Sequence, residues 1–228
     1  MRDLTTTSYA SLGLLALKPW STYELAKQME RSLHNFWPRA ESKIYEEPKN
    51  LVAHGLARSR KEPTGKRPRT VYSITPKGRR ALRRWLDEPG GPPSLEFEGI
   101  MKVFFSDQGS KEQLLEQIRS IREWAAAERQ RAVPILRGYL EDGGPFPERL
   151  HIIRLMVRFL SERTRFVEDW ARWAEEEVQG WPGVAGSERP PVDDDVFRRA
   201  LEEAEADVGG NGHDADHSES RSGVGGHR

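Results

Sequence analysis

The sequence predicts a mainly α fold in two units, the first compact and carrying one β-hairpin, the second all-α and made of long helices. Three observations lead there. Apolar residues recur at helical spacing along most of the 228-residue chain. Only the stretch 56–74 reads as two short strands around a turn-rich tip. The run Glu88-Pro89-Gly90-Gly91-Pro92-Pro93 breaks the pattern as a linker. The expected division is therefore a first domain at 1–88, a linker at 89–94, a helical domain at 95–180, and a tail at 181–228.

The first helix is expected from Ser8 to Leu17, with Tyr9, Leu12, Leu15 and Ala16 on one face and Pro19 closing it. A capping box, Ser21-Thr22-Tyr23-Glu24, opens the second, whose apolar face is Leu25, Ala26, Met29 and Leu33. The third is expected between Ala40 and His54, stopped by Gly55 and bent at Pro48, where proline removes a bond to the Ile44 carbonyl. Ile44, Leu51 and Val52 form its core stripe, and Ser42, Tyr45, Glu46 and Lys49 form a polar one. Two strands, Leu56–Arg60 and Thr70–Ile74, flank a basic tip, and Tyr72 among them reads as a packing aromatic. Thr75 caps a fourth helix, with Pro76 at its first position, that runs to Asp87.

Past the linker, Ser94 is expected to cap a short helix bearing Phe97, Ile100, Met101, Phe104 and Phe105. A second capping box, Ser110-Lys111-Glu112-Gln113, begins a long helix carrying Leu114, Ile118, Ile121 and Ala125, bent at Pro134. Asp142-Gly143-Gly144-Pro145 reverses the chain. The last long helix carries two stripes. Leu150, Ile153, Val157, Leu160, Thr164, Val167, Ala171, Ala174 and Val178 alternate by three and four, a heptad seam of about four repeats. Beside them run Met156, Phe159, Arg163, Phe166, Trp170 and Trp173. One stripe can pack within the chain and the other against a second copy, or both can form one broad intrachain face. The seam through Leu150, Ile153, Val157, Leu160, Val167, Ala171 and Ala174 is assigned to a dimer interface. A short helix is expected at 193–207 and disorder from Gly209 to Arg228.

The net charge of zero hides a division. Residues 1–88 hold 18 Lys+Arg against 9 Asp+Glu, a net of +9, and residues 89–228 hold 18 against 27, a net of −9. Such a layout suits a nucleic-acid-binding unit joined to a separate module. Cysteine is absent, which excludes disulfides, zinc fingers and thiol chemistry. Neither a run of ~18 apolar residues nor a signal peptide is present, so no membrane partner and a cytoplasmic location are expected. None of the P-loop, dinucleotide-turn, nucleophile-elbow or zincin motifs occurs, and an enzyme, a metal and a cofactor are not expected. His213 and His217 have metal-ligand spacing but sit in a Gly-rich tail, where they read as solvated.

Three helices, a basic-tipped hairpin and a fourth helix make an N-terminal winged helix-turn-helix with a small β-hairpin wing, followed by an all-α long-helix dimerisation domain. In that arrangement the third helix enters the major groove of double-stranded DNA and the wing reaches phosphates. The segments Thr22-Tyr23-Glu24-Leu25-Ala26, Ser42-Lys43-Ile44-Tyr45, Leu51-Val52-Ala53-His54-Gly55-Leu56-Ala57 and Arg67-Pro68-Arg69-Thr70-Val71-Tyr72-Ser73-Ile74-Thr75-Pro76-Lys77-Gly78 closely resemble the PadR family of bacterial regulators. From Glu96-Phe97-Glu98 onward the chain resembles the C-terminal dimerisation domain of the family's longer members. The resemblance implies a homodimer on operator DNA, commonly a repressor released by a small ligand. Carried over by motif, Tyr23, Ser42, Lys43, Tyr45 and Lys49 face DNA, with Lys66, Arg67 and Arg69 on the wing. Glu46 stands where the family commonly has proline, and Pro48 follows two residues later. Trp124, Trp170 and Trp173 are either ordinary core or the walls of a pocket for an aromatic effector. A winged-helix module that binds protein instead of DNA is the alternative reading of the whole.

Overall fold

The computed structural model describes residues 3–37, 44–63, 69–192 and 194–211, the last five of these by backbone alone. It divides into two compact units, Met1–Leu95 and Glu96–Arg228.

In the first unit α1 spans Thr6–Leu17, α2 Thr22–Leu33, α3 Glu47–Ala53 and α4 Pro76–Asp87. The expected caps form. Ser21 Oγ accepts from the Glu24 N–H while Glu24 accepts from the Ser21 N–H, and Thr75 Oγ1 accepts from the Gly78 N–H. The hairpin is β2 (Ala57–Glu62) and β3 (Arg69–Ile74), in antiparallel register with Ala57 opposite Ile74 and Glu62 opposite Arg69. A further strand, β1 (Trp20–Ser21), was not expected from the sequence. It pairs with the free edge of β3, Trp20 opposite Tyr72, and makes a three-stranded sheet in the order β1-β3-β2.

The third helix differs from its expectation. Residues 44–46 form a turn, α3 begins at Glu47, and Ala40–Lys43 lie outside the described residues. Pro48 therefore sits in the first turn of α3, where its missing N–H has no intrahelical partner to lose, and it bends nothing. Gly55 follows the helix at φ 69°, the left-handed conformation expected there. Leu12, Leu15, Leu25, Met29, Ile44, Leu51, Leu56, Val71 and Tyr72 are the buried core, so Tyr72 is a packing residue.

In the second unit α5 spans Glu98–Phe104, α6 Lys111–Glu141, α7 Leu150–Gly180 and α8 Asp195–Asn211. Phe97, not Ser94, occupies the position before α5: a cap-type residue begins a helix only where the next turn is helical, and here that turn starts four residues later. The Ser110–Gln113 capping box forms, and α6 continues as helix through Pro134. Gly143 and Gly144 take positive φ at the reversal, and the Gly144 N–H donates to the Gly138 carbonyl. The helix expected to end at Asp207 runs to Asn211, and residues 212–228, with His213 and His217, lie outside the described residues.

α6 and α7 pack along Leu114, Ile118, Ile121, Ala171, Ala174 and Val178, with Phe97, Ile100, Val167 and Trp170 against them. Burying a side chain such as Ile118 contributes about 1.5–3 kcal/mol. This corrects part of the dimer assignment. Ala171 and Ala174 are buried against α6, so they have no surface to offer a second copy. Leu150, Ile153, Val157, Leu160 and Val167 on the same stripe are half-buried. The neighbouring stripe stays open: Ile152, Leu155, Met156, Phe159, Phe166 and Trp173 are exposed.

Candidate nucleic-acid interface

The polar surface of the first unit is set by how α3 is held. Ile44, Glu47, Pro48 and Leu51 face inward and Tyr45, Glu46 and Lys49 face out, because an α-helix turns about 100° per residue. Its C-terminal end is locked by neighbours. Lys77 Nζ donates to the His54 carbonyl at 2.9 Å, a cation at the negative end of the helix. Thr75 Oγ1 donates to the Gly55 carbonyl at 2.8 Å. Gly78 lies so close to β2 that a Cβ there would stand 2.8 Å from Ile74 Cγ1 and nearer still to the Leu56 carbonyl oxygen.

Tyr23 at 68% and Tyr45 at 60% exposure are left in solvent by this packing, further out than Phe36 at 40%. Lys49 is exposed on the outer face of α3, and Tyr45 lies in the turn just before that helix. Ser42, Lys43, Lys66 and Arg67 lie outside the described residues. Arg69, at the start of β3, is half-exposed but already engaged: it lies 3.3 Å from Glu24 Oε1 and 3.3 Å from Glu62 Oε2. Arg60 also pairs with Glu62, at 2.5 Å. The Ser21 N–H, the Ser21 hydroxyl and then Arg69 hold the Glu24 carboxyl below its ordinary range. Arg60 and then Arg69 do the same for Glu62. Exposed pairs of this kind are worth little and exchange readily for a stronger anion such as phosphate. The hairpin thus brings Arg58, Arg60 and Arg69 together. Arg58 and Arg60 were not among the sequence-derived site residues, and both are exposed on β2, where residues 58–61 all face solvent.

Three of the four indoles of the second unit were candidate ligand residues, and their surroundings differ. Trp170 packs on the α6–α7 core. Trp124 is 40% exposed with its ring 6.2 Å from Phe97, and Trp173 is 47% exposed. Across the same helix pair Glu175, itself buried, accepts a hydrogen bond from Arg119 at 2.8 Å. Arg122 lies 2.6 Å from its other oxygen as an ion pair without hydrogen-bond alignment. Arg129 pairs with Glu168 one helical repeat away. Lys111 Nζ donates to the Gln179 carbonyl at 2.8 Å, capping the end of α7. Among the described residues there is no metal-binding cluster and no helix long and apolar enough to cross a membrane.

Three helices, a small antiparallel sheet ending in a hairpin, and a fourth helix define a winged helix-turn-helix protein. Residues 12–84 match the PadR-like family of transcriptional regulators, and residues 98–179 match the virulence activator alpha C-terminal family. The first unit is thus similar to PadR-like transcriptional regulators and the second to the virulence activator alpha C-terminal region. It is 33% identical over 85 residues to the probable transcriptional regulator Rv1176c of Mycobacterium tuberculosis. That alignment spans 37% of this chain and 45% of the relative, less than half of its length. Among solved structures it is similar to Bacillus subtilis PadR in complex with operator DNA: TM-score 0.66, 21% identity, covering 76% of this chain and 99% of the other. It is also similar to the same protein in complex with p-coumaric acid: TM-score 0.60, 22% identity, covering 78% and 99%. At these identities the likeness establishes the fold.

Proposed function

We propose that the chain is a homodimeric DNA-binding transcriptional regulator of the cytoplasm that represses its target and is released from operator DNA by a small aromatic ligand. The observation that carries the reading is the outer face of α3. Lys49 stands exposed on a short helix locked at its C-terminal end, and Tyr45 is exposed in the turn that leads into it, in a unit with a net charge of +9. A helix so presented fits the major groove, where lysine and tyrosine hydroxyl groups meet base edges and phosphates. Tyr23 at the start of α2 contacts the DNA as well, and so do Ser42 and Lys43, which precede α3 in the sequence. Lys66, Arg67 and Arg69 contact phosphates from the hairpin, Arg69 exchanging Glu24 and Glu62 for them. The operator complex of the Bacillus subtilis relative supports this assignment.

Dimerisation follows from the open stripe of α7. Met156, Phe159, Phe166 and Trp173 are large, apolar and exposed, and a second copy is the partner that covers them. A dimer sets two α3 helices on half-sites one turn of DNA apart, about 34–36 Å. Trp124 and Trp173 are partly exposed and offer flat apolar surface to the effector; the p-coumaric acid complex of the relative supports an aromatic acid.

A gel-shift titration against the DNA upstream of the chain's own gene tests the reading. Saturable binding that weakens steeply with salt, with footprints on two half-sites, is the expected result. No shift at micromolar protein in low salt would favour a winged-helix module that binds protein.

A further inference from the structure

We infer that Glu47 and Ser8 are positioning residues for DNA readout: a buried hydrogen bond between them fixes the rotation of α3 and thereby aims Tyr45 and Lys49. The inference rests on the DNA-binding reading above and adds to it the device that orients the reading helix.

The observations are these. Glu47 is fully buried at the first position of α3, and Ser8 on α1 is 1% exposed. Ser8 Oγ donates to Glu47 Oε2 at 2.7 Å while accepting from the Thr5 N–H at 3.0 Å. The serine hydroxyl is thus held from both sides and its direction is set. One residue earlier on α1, Thr7 Oγ1 accepts from Trp37 Nε1 at 3.1 Å. Trp37 follows α2 and Glu47 begins α3, so the chain leaving one helix and the chain entering the other are tied to adjacent residues of α1.

A buried carboxylate is costly unless hydrogen-bonded, and leucine at position 47 would pack against α1 without that cost. What the carboxylate adds is direction. α3 has seven residues, and its inward face is little more than Pro48 and Leu51 with Ile44 just before it. Apolar contacts are tolerant of a rotation of a few tens of degrees; a 2.7 Å hydrogen bond is not. Lys49 lies two residues from Glu47, about 200° round the helix, and so swings with any rotation that Glu47 permits. Tyr45, two residues before Glu47 in the adjoining turn, moves with the same anchor. Among the described residues the Asn50 side-chain nitrogen is buried without a hydrogen-bond partner.

The test separates aim from stability. Replacing both partners of a buried hydrogen bond by apolar groups is close to neutral for folding. Because Ser8→Ala also frees the Thr5 N–H, the Ser8→Ala/Glu47→Leu double variant should fold with a modestly lowered melting temperature. Binding is measured to a duplex that the wild-type chain enriches from a randomised pool and to a scrambled duplex of the same length. The double variant should lose about tenfold in the ratio of the two affinities, the worth of one specific base contact, while holding the scrambled duplex as before. Glu47→Gln retains a side-chain oxygen that accepts from Ser8 and should stay within about threefold of wild type in that ratio. Trp37→Phe, which removes only the donor to Thr7, gives a second arm should the double variant fail to fold, and it too should lower the ratio without lowering scrambled-duplex affinity. A folded double variant, or a folded Trp37→Phe, that discriminates as well as wild type would overturn the inference. A wild-type chain that enriches no duplex would overturn the DNA-binding reading and this inference with it.

Discussion

Changing Phe159 and Phe166 together to glutamate should convert the protein to folded monomers. The two rings are 55% and 68% exposed and stand seven residues apart, so they lie on one line of α7. A phenylalanine side chain presents roughly 200 Å² in all, so about 110 and 140 Å² remain to be covered. At ~25 cal/mol per Å² the two rings offer ~6 kcal/mol per copy and ~12 kcal/mol per dimer, an upper bound because association itself costs several kcal/mol. If a quarter of that sum is realised, its loss raises the dissociation constant roughly a hundredfold, and like charges across a two-fold interface add to the effect. Sedimentation equilibrium at micromolar concentration, with circular dichroism to verify helix content, checks this. The contrast is Ala171→Glu, where the same charge enters the α6–α7 core and should unfold the second unit. A Phe159→Glu/Phe166→Glu protein that sediments as a dimer would refute the reasoning, and the interface would then be sought elsewhere.

Three further outcomes follow from the packing. Ile118→Ala should lower stability by about 3 kcal/mol, because the residue is 1% exposed between α6 and α7; denaturant unfolding monitored on the second unit measures it. Gly78→Ala should cost about 3 kcal/mol or more in the first unit, since its methyl group meets the Leu56 carbonyl, and a lowered melting temperature reports it. Acid should weaken the first unit: Ser21 and then Arg69 hold the Glu24 carboxyl, and Arg60 and then Arg69 the Glu62 carboxyl, below the ordinary carboxylate range, so their contribution is present above that range and is lost as pH falls through and below it. Thermal melts across that range should show this loss, and Glu24→Gln with Glu62→Gln should flatten the slope.

What was legible in the sequence was what local chemistry encodes. Ser21 with Glu24, Ser110 with Gln113, and Thr75 with Pro76 each specify a helix start through side-chain to backbone bonds within four residues, and all three formed. β1 was not legible because two residues carry no periodicity; Trp20 and Ser21 become a strand only when β3 offers an unpaired edge. Pro48 was misread because proline fits either a kink or a first turn, and the choice belongs to where the chain enters α3. Glu47 was invisible for a similar reason. It is adjacent to Glu46, and only the position of Ser8, 39 residues away, makes one of the two a core residue.

The two stripes of α7 show that some long-range information does lie in the sequence, though in side-chain size and not in spacing. Both stripes alternate by three and four, so periodicity alone cannot rank them. They differ in bulk. Toward its C-terminal end the seam is Thr164, Val167, Ala171, Ala174 and Val178, and its neighbour is Phe166, Trp170 and Trp173. Helices approach as closely as the side chains between them allow, and a partner linked by the short turn at Gly143 and Gly144 has the most to gain from close approach along its length. The small stripe therefore takes α6, where Ala171 and Ala174 end buried. Large rings cannot be covered by α6 from the same side, because the two stripes are separated by roughly a quarter turn or more of helix. Trp170 reaches back onto the core, while Phe166 and Trp173 remain for a surface that arrives from outside. Size asymmetry between adjacent stripes thus separates the intrachain face from the face left for a partner.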